Sequence, residues 1–266
     1  MVSILMASHN PNRDFLNESV CSILRQSYQD FELIIVDDGS DYPIADILST
    51  LGISDQRICV IRTEKNQGLP KALNFGLTYC KGMYIARMDD DDIMEQKRIE
   101  KQCAYMSMNP EYIGCFSSFE RIDRQGKHIC SNLLQIKPAK IRKQLLSSGN
   151  IFCHSTLFVK KSVLDEIGGY DENLRYAQDC DLYIRLLDKG SIGIVTDSLL
   201  KFRINDYRTN IYRDCLSLTY SYFSALRYFC ASSNMTLEMW TFFFERTLRY
   251  FIGCMKLILK DKSAKG

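Results

Sequence analysis

Ten residues, YIARMDDDDI (84–93), set four carboxylates side by side after an apolar, strand-like run. Asp89, Asp90, Asp91 and Asp92 repel one another. A fold keeps them together only if water solvates them on a surface loop or a cation neutralises them. Carboxylates at a strand end suit a hard divalent cation. Mg2+ and Mn2+ take oxygen ligands, often one or two carboxylates plus substrate phosphates. Such an ion offsets charge building on a phosphate leaving group. An EF-hand does not fit: with Asp89 in the first position Glu100 falls in the twelfth, but Met94 stands where the sharp turn needs glycine.

Three other stretches carry polar groups in useful company. VDDGS (36–40) ends a second apolar run with Asp37 and Asp38, and Gly39 permits a tight turn through which backbone can approach a ligand. Asp-Gly-Ser is also ordinary turn chemistry. NQGLPKALNFG (66–76) opens a helix whose first N–H groups, with Lys71, could face a diphosphate; a plain loop before a core helix explains it equally well. GGYDENLRYAQDCDLYIRL (168–186) puts Asp179 and Asp181 at a predicted helix start. Asp179 could cap that helix. It could also serve as a general base, since neighbouring carboxylates raise its pKa toward neutrality. Neither GxGxxG nor GxxxxGK[ST] occurs, so the Rossmann dinucleotide and P-loop fingerprints are missing.

These residues need a scaffold, and the first 110 residues supply one. Apolar runs at 2–8, 31–38, 57–63 and 83–88 read as strands covered on both faces. Helical patterns at 14–27, 43–52 and 69–82 separate them, with Phe15, Val20, Ile23 and Leu24 on one face of the first. Gly52 and Gly82 stand at helix stops. Strand alternating with helix predicts a parallel α/β sheet, whose ligands bind beyond the carboxyl ends of the strands. ASHN, DDGS and DDDD each follow a strand and should share that edge. Residues 111–204 are mixed: EYIGCFSSFERID and STLFVKKSVL contain strand-like pieces, KIRKQLLSSG and QDCDLYIRLLDKG helical ones. Beyond 205 the chain is aromatic-rich, basic and helical in pattern.

Composition narrows the class. The chain has 266 residues, 46% hydrophobic and 25% charged, as a soluble globular protein of one large domain would. Its net charge of +2 gives no drive toward nucleic acid. Eleven cysteines, an odd number without a CxxC pair, argue against zinc and a secreted disulfide framework. Several, such as Cys59 and Cys115, have apolar neighbours and read as small buried hydrophobes in a reducing cytosol. The first residues lack a basic leader region, and no apolar run is long enough to span a bilayer, so the expected location is the cytoplasm.

Taken together, SILMASHN, SILRQSYQDFELIIVDDGS, NQGLPKALNFGLTYCKGMYIARMDDDD and GGYDENLRYAQDCDLYIRL resemble, in order and spacing, the family 2 glycosyltransferases with the GT-A fold. The resemblance covers roughly residues 1 to 200. It implies a nucleoside-diphosphate sugar donor, a divalent ion (Mn2+ or Mg2+) and inversion at the anomeric carbon. By position it places Ala7 and His9 in the nucleotide pocket, Asp37 on the base with Asp38 beside it, and Asn66 in the donor loop. Asp89 and Asp91 match the DxD pair. Asp91 is the first choice for metal, and Asp89 and Asp90 for ribose or the metal's surroundings. Asp179 matches the catalytic base. Two departures bear on specificity. Leu73 stands where the donor loop often has arginine, which shifts a phosphate contact to Lys71 or Arg87. Gln178 replaces the usual glutamate before Asp179. Gln178, Asp181 and His154 are candidates for the acceptor side, although a packed or capping role suits His154 as well. His128 reads as a surface loop residue.

The expected organisation is a catalytic domain over 1–204 and a helical extension over 205–266. RTLRYFIGCMKLILKDK, which mixes basic and large apolar residues, suits a membrane surface, a packed subdomain or a homodimer contact. Attachment to the inner face of the cytoplasmic membrane would fit a lipid-linked acceptor, as in bacterial capsule or O-antigen assembly. UDP is the expected nucleotide; dTDP and GDP stay open, as do galactose, glucose, N-acetylglucosamine and rhamnose. A nucleotidyltransferase that makes sugar nucleotides is the nearest rival, but ASHNPNRDF lacks the glycine-rich loop such enzymes carry after the first strand. A non-catalytic sugar-nucleotide-binding paralogue would be favoured by loss of Asp91 or Asp179, and both are present.

Overall fold

The computed structural model describes residues 1–204, 211–231 and 237–264. The junction expected at 204/205 and the side chains of the tail from 256 onward lie outside the described residues. Among the described residues, nine strands form one mixed sheet: β1 (Val2–Ser8), β2 (Phe31–Asp37), β3 (Ile58–Arg62), β4 (Tyr84–Met88), β5 (Ile93–Met94), β6 (Tyr112–Ile122), β7 (His128–Asn132), β8 (Phe158–Lys160) and β9 (Ser191–Arg203). Their order is β3-β2-β1-β4-β8-β6-β9-β5, with β7 paired to β6. The first four are parallel. β8 lies antiparallel to β4 and β6, while β9 runs parallel to β6.

Register explains why the acidic motifs meet. Ser8 pairs with Asp37, Asp37 with Arg62, and Met6 with Met88. The carboxyl ends of all four parallel strands therefore share one edge, where such sheets take ligands. The strands hold this edge because both faces are covered. Leu5, Ile34, Val36 and Ile85 pack with Leu73 and Leu77 of α3 (Leu69–Leu77) and Leu182 and Leu186 of α7 (Gln178–Leu187). Ile4, Met6, Leu33 and Ile35 pack with Leu16, Val20 and Ile23 of α1 (Arg13–Leu24) and Ile99 of α4 (Arg98–Met108). Alternate side chains along each strand thus enter opposite layers. α1 starts where Asn12 accepts from the N–H groups of Asp14 and Phe15, at 3.0 and 3.1 Å.

The second half is built differently. α5 (Pro138–Lys143) runs into a wider turn over Gln144–Ser148. α8 (Ile211–Ala231) and α9 (Leu237–Ala264) form a helical hairpin. Ala225, Phe229 and Phe242 of that hairpin bury against Leu146, Cys180 and Ile184. Two readings of single residues need correction. Cys59 is exposed because β3 is an edge strand. His128, expected in a loop, begins the exposed strand β7, with Nε2 3.1 Å from Ser131 Oγ. No described helix is long and apolar enough to cross a membrane.

Candidate active site

Two cavities open at the shared edge. The smaller, about 120 Å³, is lined by Ala7, Ser8, His9, Asp38, Asn66, Gly68, Leu69 and Ala72. It gathers the ends of β1 and β2 with the start of α3. Asp38, buried, shapes its wall: Oδ1 accepts from Thr63 Oγ1 (3.0 Å) and Gln67 N (2.9 Å), and Oδ2 from Gly68 N (2.9 Å). These bonds fix the 66–68 loop before α3. His9 Nδ1 lies 2.9 Å from the Asp38 carbonyl. Asp37 is turned to the chain itself. Its oxygens accept from Ser40 N (2.9 Å), Ile44 N (3.0 Å) and Arg62 Nη1 (2.9 Å). Gly39 follows with φ 66, and a Cβ there would lie 2.4 Å from the Lys65 carbonyl carbon, so only glycine fits. Lys71 is exposed on α3, and Leu73 is in the core.

The four aspartates after β4 have four different environments. Asp89 forms an ion pair with Arg87 through Oδ1 and accepts from Ser155 Oγ through Oδ2 at 2.6 Å. Burial pushes its carboxyl up, but the Arg87 charge, His154 and the bonds from Ser155 and Arg87 outweigh burial and hold it below the usual range. Asp90 accepts from Ser8 Oγ, which ties this turn to the smaller cavity; burial, the largest influence, raises its pKa. Asp91 is half-buried at the tip of the turn. Asp92 is fully buried. Oδ1 accepts from Arg203 N at 2.9 Å, and Oδ2 meets no donor among the described residues. Burial, then the charges of Asp89 and Asp91, raise it well above the ordinary carboxyl value. The first relief of the repulsion is therefore a protein cation, Arg87, together with a carboxyl driven toward its neutral form.

The larger cavity, about 330 Å³, is lined by Asp89, Phe119, Arg121, Asn150, Ile151, Phe152, Cys153, His154, Asp179 and Phe202. Asp89 and Asp179, ninety residues apart, face one space. Asp179 stands in the first turn of α7, after Ala177 in the left-handed region at φ 55. A non-glycine residue in that region carries strain, here one residue before the helix begins. Asn150 Nδ2 donates to Asp179 Oδ2 at 2.7 Å. Burial raises the Asp179 pKa, opposed by the N–H groups of Cys180 and Asp179, the Asn150 bond and the Arg87 charge. His154 Nε2 lies 2.8 Å from Tyr170 Oη, and burial, then Arg87, depress its pKa to about 3, so the ring is neutral. Gln178 opens α7 one position earlier, half-buried. Asp181 is committed elsewhere: Oδ2 pairs with Arg185 Nε at 2.8 Å, and Arg185 Nη1 reaches the Gly169 carbonyl.

Arg87, 1% exposed, has a further property. Its Nε and Nη1 donate to nothing among the described residues. Sequence reasoning missed Asn150 and Ser155, because each gains its role from a contact across the chain, with Asp179 and Asp89; Tyr170 lies within the 168–186 stretch but meets His154 only through the fold. For a cation, among the described residues no group of three or more His, Cys, Asp or Glu side chains converges. Asp89 also has both oxygens engaged. This donor set fits an ion completed by substrate phosphates more than one caged by protein alone.

Residues 3–168 match the model of glycosyl transferase family 2. An O-antigen biosynthesis glycosyltransferase of Escherichia coli, WbnJ, is 34% identical, over 96% of this chain and 94% of its own. An uncharacterized glycosyltransferase of Methanocaldococcus jannaschii is 30% identical, over 100% and 95%. In three dimensions, S. aureus TarS residues 1–349 in complex with UDP-GlcNAc superpose with a TM-score of 0.73 at 14% identity, over 94% of this chain and 72% of that one. Of a longer TarS chain this protein spans 43%. The TarS likeness establishes the GT-A fold alone, whereas the family match and the near full-length relatives establish more: this chain is a member of glycosyltransferase family 2.

Proposed function

We propose that the protein transfers a sugar from a nucleoside-diphosphate donor, with UDP as the nucleotide, to a hydroxyl of a glycan or lipid-linked acceptor, inverting the anomeric carbon. The observation that carries this is the larger cavity, where Asp179 confronts the turn that adjoins the nucleotide-side cavity. The UDP-GlcNAc complex of TarS supports a UDP-sugar, and WbnJ supports a role in surface-polysaccharide synthesis.

The acceptor oxygen attacks the anomeric carbon as the bond to the diphosphate breaks. Asp179 takes the hydroxyl proton, and Asn150 fixes the orientation of its carboxylate. A carboxyl lifted by burial is a stronger base than an exposed one. Arg87 offers donors with no acceptor among the described residues, suited to the diphosphate oxygens or the sugar. Asp38 holds the 66–68 backbone where the nucleotide would rest. We assign Asp91, with the substrate diphosphate, as the site of Mn2+ or Mg2+; when bound, the ion offsets charge on the leaving group.

The test is release of nucleoside diphosphate from a panel of sugar nucleotides with Mn2+, Mg2+ or EDTA, without acceptor. Slow, metal-dependent hydrolysis of one donor is expected. If no donor is hydrolysed and no diphosphate binds with metal present, the proposal fails.

A further inference from the structure

A further cavity, with a mostly apolar wall and two arginines, lies outside the catalytic cleft. It measures about 370 Å³ and is lined by Ser148, Leu218, Tyr222, Arg246, Arg249, Tyr250, Ile252 and Gly253. Its centre of interest is Arg246, 5% exposed, near the middle of α9. Arg246 Nη2 donates to Ser221 Oγ, but Nε meets no acceptor, and no carboxylate pairs with Arg246 or Arg249 among the described residues. A buried guanidinium without a counter-charge is costly to a fold. Two arginines one helical turn apart repel each other as well. The two tyrosine rings beside them stack at 4.5 Å.

The wall of this cavity continues into an apolar surface. Trp240, Phe244, Leu248, Phe251 and Met255 recur every three or four residues along the outer face of α9, all exposed. Ile252 belongs to both the cavity lining and the exposed set. A cationic hollow bordered by an apolar stripe matches a ligand with an anionic head and an apolar tail. The cavity is also close to the chemistry. Arg246 Nη1 packs against Gly149, next to the Asn150 that orients Asp179. Ser221 Oγ donates to Cys180 Sγ at 3.4 Å, one residue past Asp179.

We infer that the α8–α9 hairpin binds a phosphorylated amphiphile, with its phosphate at Arg246 and Arg249 and its hydrocarbon along the α9 stripe, and that this amphiphile carries the acceptor. As an acceptor site the inference rests on the transfer reading above; as a binding site it stands alone.

The experiment is calorimetric titration of the full chain, saturated with UDP and Mg2+, with farnesyl phosphate, inorganic phosphate and farnesol, for the unaltered protein and for Arg246→Gln and Arg249→Gln. Farnesyl phosphate should bind more tightly than either fragment. Each substitution should weaken it roughly tenfold or more, the loss of one charge-assisted hydrogen-bonding group. The exposed Arg249 provides the reading if Arg246→Gln does not fold. Affinity indifferent to Arg249→Gln would overturn the inference. So would farnesol binding as well as farnesyl phosphate, which would mean a merely greasy face, or inorganic phosphate binding as well, which would mean a simple anion hole. Lipid binding that obeys the expectation while no sugar nucleotide is hydrolysed would strike the reading of the cleft and leave this site standing.

Discussion

The two halves of the site are finished to different degrees. On the nucleotide side, Asp37 and Asp38 accept six hydrogen bonds from their own chain, and no oxygen of either lacks a partner. On the side of Asp89 and Asp179, polar groups are buried without partners among the described residues: two Arg87 nitrogens, Asp92 Oδ2 and the Tyr183 hydroxyl. Unsatisfied buried groups are expensive, so a fold retains them where a substrate supplies the missing partner. The contrast suggests a division of labour. In the proposed function the first half is a completed mould, and the second is completed by what it binds.

The sharpest way to break this contrast is to exchange the kinds of damage each half should suffer. Asp179→Asn should reduce transfer by about a thousandfold, within the range for loss of a general base. The fold should survive. A carboxyl whose folded pKa is raised costs stability once ionised, so its neutral replacement should melt at the same temperature or higher at neutral pH. Asp38→Ala should do the reverse. Stripped of three hydrogen bonds, the 63–68 segment should cost roughly 2–3 kcal/mol of stability, read by urea unfolding, with donor affinity falling alongside. If Asp38→Ala left stability intact and only donor binding fell, the mould would have to be redrawn with Asp38 as a direct ligand. The smallest effect is expected from Asn150→Ala. Its amide favours the ionised form of Asp179, so removing it should raise that pKa further. The acid limb of the rate profile should therefore move to higher pH. A limb that stayed in place or moved down would show that Asn150 does not act on the base.

Legibility in the sequence follows the same divide. β1, β2 and β4 are readable because each is apolar on both faces: the run 31–38 corresponds to Phe31–Asp37 and the run 83–88 to Tyr84–Met88. The helix expected over 69–82 ends at Leu77, because Thr78, Tyr79 and Cys80 bond three residues back and tighten the turn before Gly82. β9 was not legible. Gly193 and the polar Thr196, Asp197 and Ser198 interrupt its alternation, and its register against β6 shifts there. In the site, the carboxylates announced themselves by clustering at strand ends. What each does was hidden, since four adjacent aspartates gave no sign that Asp92 would be buried under Arg203 or that Arg87 would claim Asp89. Asn150, from a stretch without strand or helix signal of its own, reaches Asp179 only through the packing of the turn over Gln144–Ser148 against α7 and α9.

The most direct test of the central claim, a single displacement with Asp179 as base, is the configuration of the released sugar. Proton NMR can follow hydrolysis of an α-linked sugar nucleotide before mutarotation mixes the anomers. The account requires the β-sugar to appear first. Early appearance of the α-sugar would contradict it, since a single displacement from the opposite face must invert the anomeric carbon.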